Sequence, residues 1–316
     1  MSSHTPLLEY GAAMRQRFGG RVQKLALDAG LTCPNRDGGV GYGGCTFCLN
    51  EAFSPSYCRG GDSLSEQLDK AIDFHLSRGR SGEHYIAYLQ AGTNTYSDTD
   101  TLQKIYKELL SHPRVSGLII GTRPDCISSE ILDILEDLSH SNYIAVEYGI
   151  ESVYDTTLQR VNRGHDFQCA IDAVAKTSSR GLDVGGHFII GLPGESREDI
   201  ISGITKINTL NLDFIKFHQL QIYRGTTIER EYHAYSDDFI FATGFGIEEY
   251  TDLVCDIIRH LSPNTAIERL LSLAPRHLIS HSPLEGIRPD EFRTRVVSRL
   301  TELNARQGDK IGVSAK

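Results

Sequence analysis

No apolar run in the chain approaches the roughly 18 residues that a membrane helix needs, and the opening MSSHTPLLEYGAAMRQRFGG has no apolar signal core. These absences predict a soluble, cytoplasmic protein with no membrane partner. Basic charge is not in excess either: 32 Lys and Arg stand against 41 Asp and Glu, and the net charge of −9 argues against a protein that coats DNA. Low-complexity stretches and internal repeats are absent. With 40% hydrophobic and 23% charged residues over 316 positions, disorder is excluded as the main state. A disulfide framework is missing as well, because seven cysteines, at 33, 45, 48, 58, 126, 169 and 255, is an odd number in a chain without a secretion signal.

What charge there is lies unevenly. Residues 1–36 and 286–316 each carry +3 and the middle −15. Two solvated terminal segments account for this, and a basic rim for RNA is the alternative.

From 21 to 218, short β-rich runs alternate with amphipathic helical patterns, which is the signature of βα units around a parallel sheet. The expected strands are 22–28, 84–91, 117–122, 143–150, 182–190 and 213–220, with helices over 64–78, 100–111, 128–139, 154–160, 166–179 and 197–209. An open doubly wound sheet and a barrel both fit this periodicity. Polar or glycine-rich segments follow the first five strands (CPNRDGGVGYGGCTFC, GTNTYS, TRPD, ES and GLPGES), so one site ringed by strand ends is expected, which favours the barrel. The predicted fold is α/β, a partial (β/α)6 barrel. It divides into a lead (1–20), a core (21–235) and a mainly helical extension (236–316) with one candidate strand at 266–272.

Cys126, Cys169 and Cys255 stand singly and read as small buried hydrophobes. Cys33, Cys45 and Cys48 form C-x11-C-x2-C in a loop containing GGVGYGG, whose backbone can wrap a bound object. Three thiols in one loop indicate metal. Spacing leaves two options open: a structural zinc with Cys58 as fourth ligand, or an iron–sulfur cluster on three cysteines. Cys58-Arg59-Gly60-Gly61 also reads as a plain turn into the next helix.

Phe47, directly before the last cysteine, together with the strand-end motifs, resembles the radical S-adenosylmethionine (SAM) superfamily. Its usual signature is C-x3-C-x2-C; the first spacing here is eleven. AGTNTY (91–96) is similar to the glycine-rich motif that receives the SAM amino group. VEYGIESVYDTTLQRVNRGH (146–165) resembles the strand-four segment of the oxygen-independent coproporphyrinogen oxidase and elongator catalytic-subunit branches. There an acidic residue meets the ribose and an arginine meets the SAM carboxylate, positions held here by Glu147 and Arg163. HFIIGLPGES (187–196) resembles the motif along the adenine, and FHQLQIYRGTTI (217–228) the strand-six exit. The short lead and GTRPD (121–125) suggest the YhcC-type branch.

The resemblance implies a [4Fe-4S] cluster on Cys33, Cys45 and Cys48, one-electron reductive cleavage of SAM to a 5′-deoxyadenosyl radical, and an electron donor such as flavodoxin or ferredoxin. The implied cofactor contacts are Phe47, Gln90, Gly92, Thr93, Asn94, Glu147, Arg163, His187 and Ile189. His187, Lys216 and His218 are expected at the barrel mouth beside the substrate. Resemblance to the elongator branch suggests tRNA, at the C5 side chain of a wobble uridine, with basic residues in 288–310 gripping phosphates. A small-molecule substrate and a non-catalytic zinc-stapled barrel are the alternatives.

Overall fold

The computed structural model describes residues 5–52, 54–58, 61–241, 245–282, 284 and 286–312; Arg59 and Gly60 of the turn expected after Cys58 lie outside these. Strands β1 (Val22–Leu27), β2 (His84–Leu89), β3 (Val115–Thr122), β4 (Tyr143–Glu151), β5 (Asp183–Ile190) and β6 (Phe214–Gln219) pair in chain order and all in parallel. Their crossovers carry α2 (Pro34–Asp37), α3 (Leu64–Leu76), α4 (Thr99–Ser111), α5 (Ser129–Ser139), α6 (Asp155–Arg160), α7 (Phe167–Ser178) and α8 (Arg197–Thr209). Ser63, Asp98, Ser128, Asp166 and Ser196 each accept a backbone N–H at a helix start, and such caps are worth about 1 kcal/mol apiece.

The sheet has one strand more than the six expected. Within the segment read as an extension, β8 (Ala266–Arg269) adds to β6 in parallel, giving the order β1-β2-β3-β4-β5-β6-β8. Also from this segment come α10 (Ile247–His260) and α11 (Pro289–Glu302). A two-stranded antiparallel ribbon of β7 (Ile222–Tyr223) and β9 (Ile279–His281) lies next to α9 (Thr227–Ala234) at the exit of β6.

Alternation along the strands separates two interiors. Leu25, Leu27, Leu89, Ile120, Val146, Val184, Ile215 and Phe217 face outward into the layer shared with the helices. On the inside, the lower end is closed by α1 (Tyr10–Phe18), whose Tyr10 and Met14 pack with Ile86, Ile119, Ala145, Phe214 and Ala266.

One step higher the interior is ionic. Lys24 Nζ lies 2.9 Å from Glu268 and 3.2 Å from Glu147. Lys216 pairs with Glu147 and reaches Glu268 at 3.3 Å, while Tyr88 donates to Glu147 and accepts from Lys216, both at 3.1 Å. Burial alone would raise the Glu147 carboxyl, yet Lys216, Lys24 and His187 together hold it well below the ordinary carboxylate value. Burial brings Lys216 down to about 8, with Glu147 and Glu268 opposing that fall.

Higher still, the exits of β4 and β5 are tied together. Ser152 donates to the buried Glu195 of GLPGES, and Ser152 also accepts from the Tyr154 N–H at 3.1 Å. Burial raises Glu195 to about 7, against the downward pull of its hydrogen bonds to Ser152 and Thr157.

Two measurements check these buried charges. Lys216→Met leaves Glu147 without its closest cation and should cost about 3–5 kcal/mol in urea unfolding; a loss below about 1 kcal/mol would mean that Lys24 alone satisfies the carboxylate. For Glu195 the folded pKa exceeds the unfolded one, so the folded state binds the extra proton. Wild type should therefore lose stability relative to Glu195→Gln as pH rises from about 4.5 to about 7, by up to about 3 kcal/mol, and no further above that. A pH-independent difference in melting temperature would contradict the raised pKa.

Candidate active site

The carboxyl ends of the strands open into a cleft of about 1170 Å³, mouth included.

One wall is the loop after β1. Pro34 opens α2 with Cys33 as its N-cap, and Gly43 and Gly44, both at φ +81°, then turn the chain back toward Cys45. The loop is clamped before any ligand arrives. Asn35 Nδ2 donates to Asn162 O at 2.6 Å and Asn162 Nδ2 to Gly44 O at 2.8 Å. Thr46 bridges the Val161 carbonyl and the Ile228 N–H, each at 3.0 Å. Cys33, Cys45 and Cys48 all line the cleft. Cys58 does not; its thiol points to Ala26 O at 3.5 Å, and burial pushes it up to about 11. Among the described residues no three His, Cys, Asp or Glu side chains converge closely enough to hold a single metal ion. Three of the four clustered thiols thus stand on one wall, with the fourth turned away.

The donor set around the thiols suits negative charge. Cys45 Sγ accepts from Arg163 Nη1 at 3.4 Å and from Asn35 Nδ2 at 3.6 Å, and Arg36 donates to Cys48 O at 3.0 Å. Arg163 also donates to Gly149 O and stands 3.9 Å from Glu151, while its buried Nε has no partner among the described residues. Beside it Arg123 forks onto Asp125 at 2.7 and 2.8 Å and leaves Nη1 unpaired. Two guanidinium N–H groups with no partner among the described residues, both on side chains that line the cleft, suit an anionic group such as a carboxylate.

The expected cofactor residues divide. Phe47, Gln90, Gly92, Thr93, Glu147, Arg163, His187 and Ile189 line the cleft. Asn94 does not: it is fully buried, and its amide donates to the carbonyls of Leu89, Ala91 and Gly121 at 2.9–3.1 Å, stapling the strand-two turn. Gly92 is required by packing, since a Cβ there would lie 2.3 Å from Leu31 O, on the segment leading to Cys33. Glu147 sits in the floor with both oxygens engaged by cations, not free for ribose hydroxyls. His187 and His218 reach the cleft with rings 5.3 Å apart, whereas Lys216 lies beneath it, 1% exposed.

Sequence reasoning missed Glu151. A bulge places it, instead of Ile150, opposite Phe188, and its φ of 73° turns the carboxylate toward Arg163 and the cleft. Its signal was the ES that follows the fourth strand. Several of the basic residues expected to grip phosphates are ion-paired. Arg293 pairs with Glu9, Arg295 with Glu248 at 2.5 Å, Arg299 with Asp252 at 2.8 Å and Lys310 with Asp256 at 3.0 Å.

Comparison with known proteins agrees with this arrangement. The profile of the Radical SAM superfamily matches residues 33–204, and that of the Radical_SAM C-terminal domain matches 212–302. The chain is 35% identical over 268 residues to Protein YhcC of Escherichia coli (strain K12), covering 84% of each. It is 35% identical over 301 residues to YtqA of Bacillus subtilis (strain 168), covering 93% of this chain and 89% of that one. Elongator complex protein 3 of Saccharomyces cerevisiae is 23% identical over 229 residues, 70% of this chain and 38% of its own length. In fold the chain is similar to the archaeal Methanocaldococcus infernus Elp3, with a TM-score of 0.64 and 17% identity over 90% of this chain and 64% of that one, so it spans less than two thirds of that structure. No helix among the described residues is long and apolar enough to cross a membrane. A profile that begins at Cys33 and runs through the strands whose ends build the cleft settles the family: the chain belongs to the Radical SAM superfamily, whose members work with a [4Fe-4S] cluster and SAM.

Proposed function

We propose that this enzyme holds its cluster on Cys33, Cys45 and Cys48 and modifies RNA, at the C5 side chain of a wobble uridine in tRNA. The chemistry supplied when cluster and SAM are bound is reductive cleavage of the sulfonium and removal of hydrogen from a substrate C–H bond. The chain's own residues do the rest. Asn35 and Arg163 donate to the Cys45 sulfur, and hydrogen bonds to a ligating sulfur would tune the reduction potential of the cluster held there. Arg163, with Nε free, takes the SAM carboxylate, and Glu151 takes the ribose hydroxyls, the role first expected of Glu147. Phe47 and Ile189 pack on Val161, Leu192 and Leu220 and keep water from the reacting carbons.

The observation that carries this reading is the Arg163 side chain, which touches Cys45 and faces Glu151 at once, so that the cluster wall and the nucleoside wall share one guanidinium. For the substrate, the support is the likeness of 146–165 to the elongator branch.

In anaerobic reconstitution, Cys45→Ala should lose SAM cleavage altogether while Cys58→Ala keeps about four irons and full cleavage; a well-folded Cys45→Ala protein that still forms 5′-deoxyadenosine would refute the cluster assignment. Glu151→Gln should weaken SAM binding about tenfold with iron content unchanged, as read by equilibrium binding. Added tRNA should stimulate SAM cleavage, and deuterium at the uridine C5 side chain should appear in 5′-deoxyadenosine. Stimulation by a small-molecule fraction, with no response to tRNA, would replace RNA as the substrate.

A further inference from the structure

A second groove, of about 620 Å³, runs beside the cleft. Its described lining includes Gln221, Leu273, Arg276, Ile279, Ile287 and Arg288, with no acidic side chain. A single polar wall separates the two spaces. Gln219 brackets the backbone of Ser272 with two hydrogen bonds of 2.8 Å, Gln221 reaches the same carbonyl at 3.3 Å, and Tyr223 donates to Gln221 at 2.9 Å. Gln221 lines both cavities, so a ligand leaving the cleft over this residue enters the groove directly.

The two arginines differ from those further along the chain. Arg293, Arg295 and Arg299 are each neutralised by a carboxylate. Arg276 and Arg288 are exposed and have no ion pair among the described residues, in a protein whose net charge is −9. Between them lies an aliphatic floor, with Leu273 55% exposed. Forked guanidinium donors recognise phosphate oxygens in pairs, and an apolar floor suits the face of a sugar or base. A polynucleotide combines these requirements in its repeat: with one base in the cleft, the next phosphate follows immediately on the other side of a thin wall.

We infer that this groove holds the phosphodiester backbone flanking the nucleotide that enters the cleft. The inference rests on RNA being the substrate and adds the surface that binds it. Arg276 and Arg288 supply charge to the strand and touch neither cofactor nor reacting atoms.

The test uses the reconstituted holoenzyme and bulk tRNA, with binding followed by fluorescence anisotropy between about 50 and 200 mM salt. The double variant Arg276→Gln/Arg288→Gln should bind tRNA about tenfold more weakly at the low-salt end. Its slope of log K against log salt should fall by about 1 to 2. Iron content and substrate-free SAM cleavage should match wild type, and Arg295→Gln should bind as wild type does. If wild type binds tRNA and the double variant binds it equally well, the groove assignment is wrong and the RNA reading stands. If wild type binds no tRNA, both fall. Arginine-dependent binding of a polyglutamate peptide, without binding of tRNA, would give the groove to an acidic protein partner and overturn the inference.

Discussion

The buried ionic layer of Lys24, Glu147, Lys216 and Glu268 is the constraint on which the remaining architecture hangs. The sheet is open between β1 and β8, and among the described residues no strand pairing joins those edges, though the segment before α1 lies against β8, where the Ile267 N–H donates to Leu8 O at 2.8 Å. Across the interior of the gap Lys24 on β1 is bonded to Glu268 on β8, while Lys216 and Glu147 connect the same two residues to β6 and β4. Four charges alternating in sign thus do across the interior what a closing hydrogen-bond ladder does in a full barrel. Because each would be costly alone in a dry interior, the four hold one register. Below them α1 excludes water; above them His187 and Tyr88 convert the layer into a polar floor.

On that floor stands a cysteine wall whose shape is fixed by amide clamps. Asn35 donates to Asn162 O and Asn162 donates to Gly44 O, so the backbone that carries Cys45 is held by the turn after α6 that leads to Arg163. Thiol and guanidinium are therefore positioned by the same contact. Glu195 extends the logic one strand further by holding Ser152, the residue after Glu151.

The strands of the core were legible because each is buried on its helix-facing side and reads as an apolar run; β1 to β6 lie within two residues of their expected limits. The seventh was harder, since β8 spans four residues and puts Glu268 inside, where a parallel strand ordinarily has an aliphatic side chain. The same ionic layer contains Glu147, which the motif presents as a carboxylate for a ligand and which the fold pairs with Lys24 and Lys216, partners that no local pattern announces. Asn94 shows how a glycine-rich strand exit is ambiguous: the residues that shape such a turn and those that can touch a ligand have the same chemistry, and only its buried amide network separates Asn94 from Gly92 and Thr93, which line the cleft. Glu151 depended on a bulge, and no periodicity reports the extra residue that rotates a side chain by one position. The charges of 293–299 were visible as a basic run, but their carboxylate partners stand on α10 and near α1, far away in sequence.

The bond between Lys24 and Glu268 spans 244 residues of chain. During synthesis β1 is made early, yet the carboxylate that neutralises it on the far edge emerges only after almost the whole core has left the ribosome. Contacts of such high sequence separation slow folding, and they place the final locking step near the end of translation.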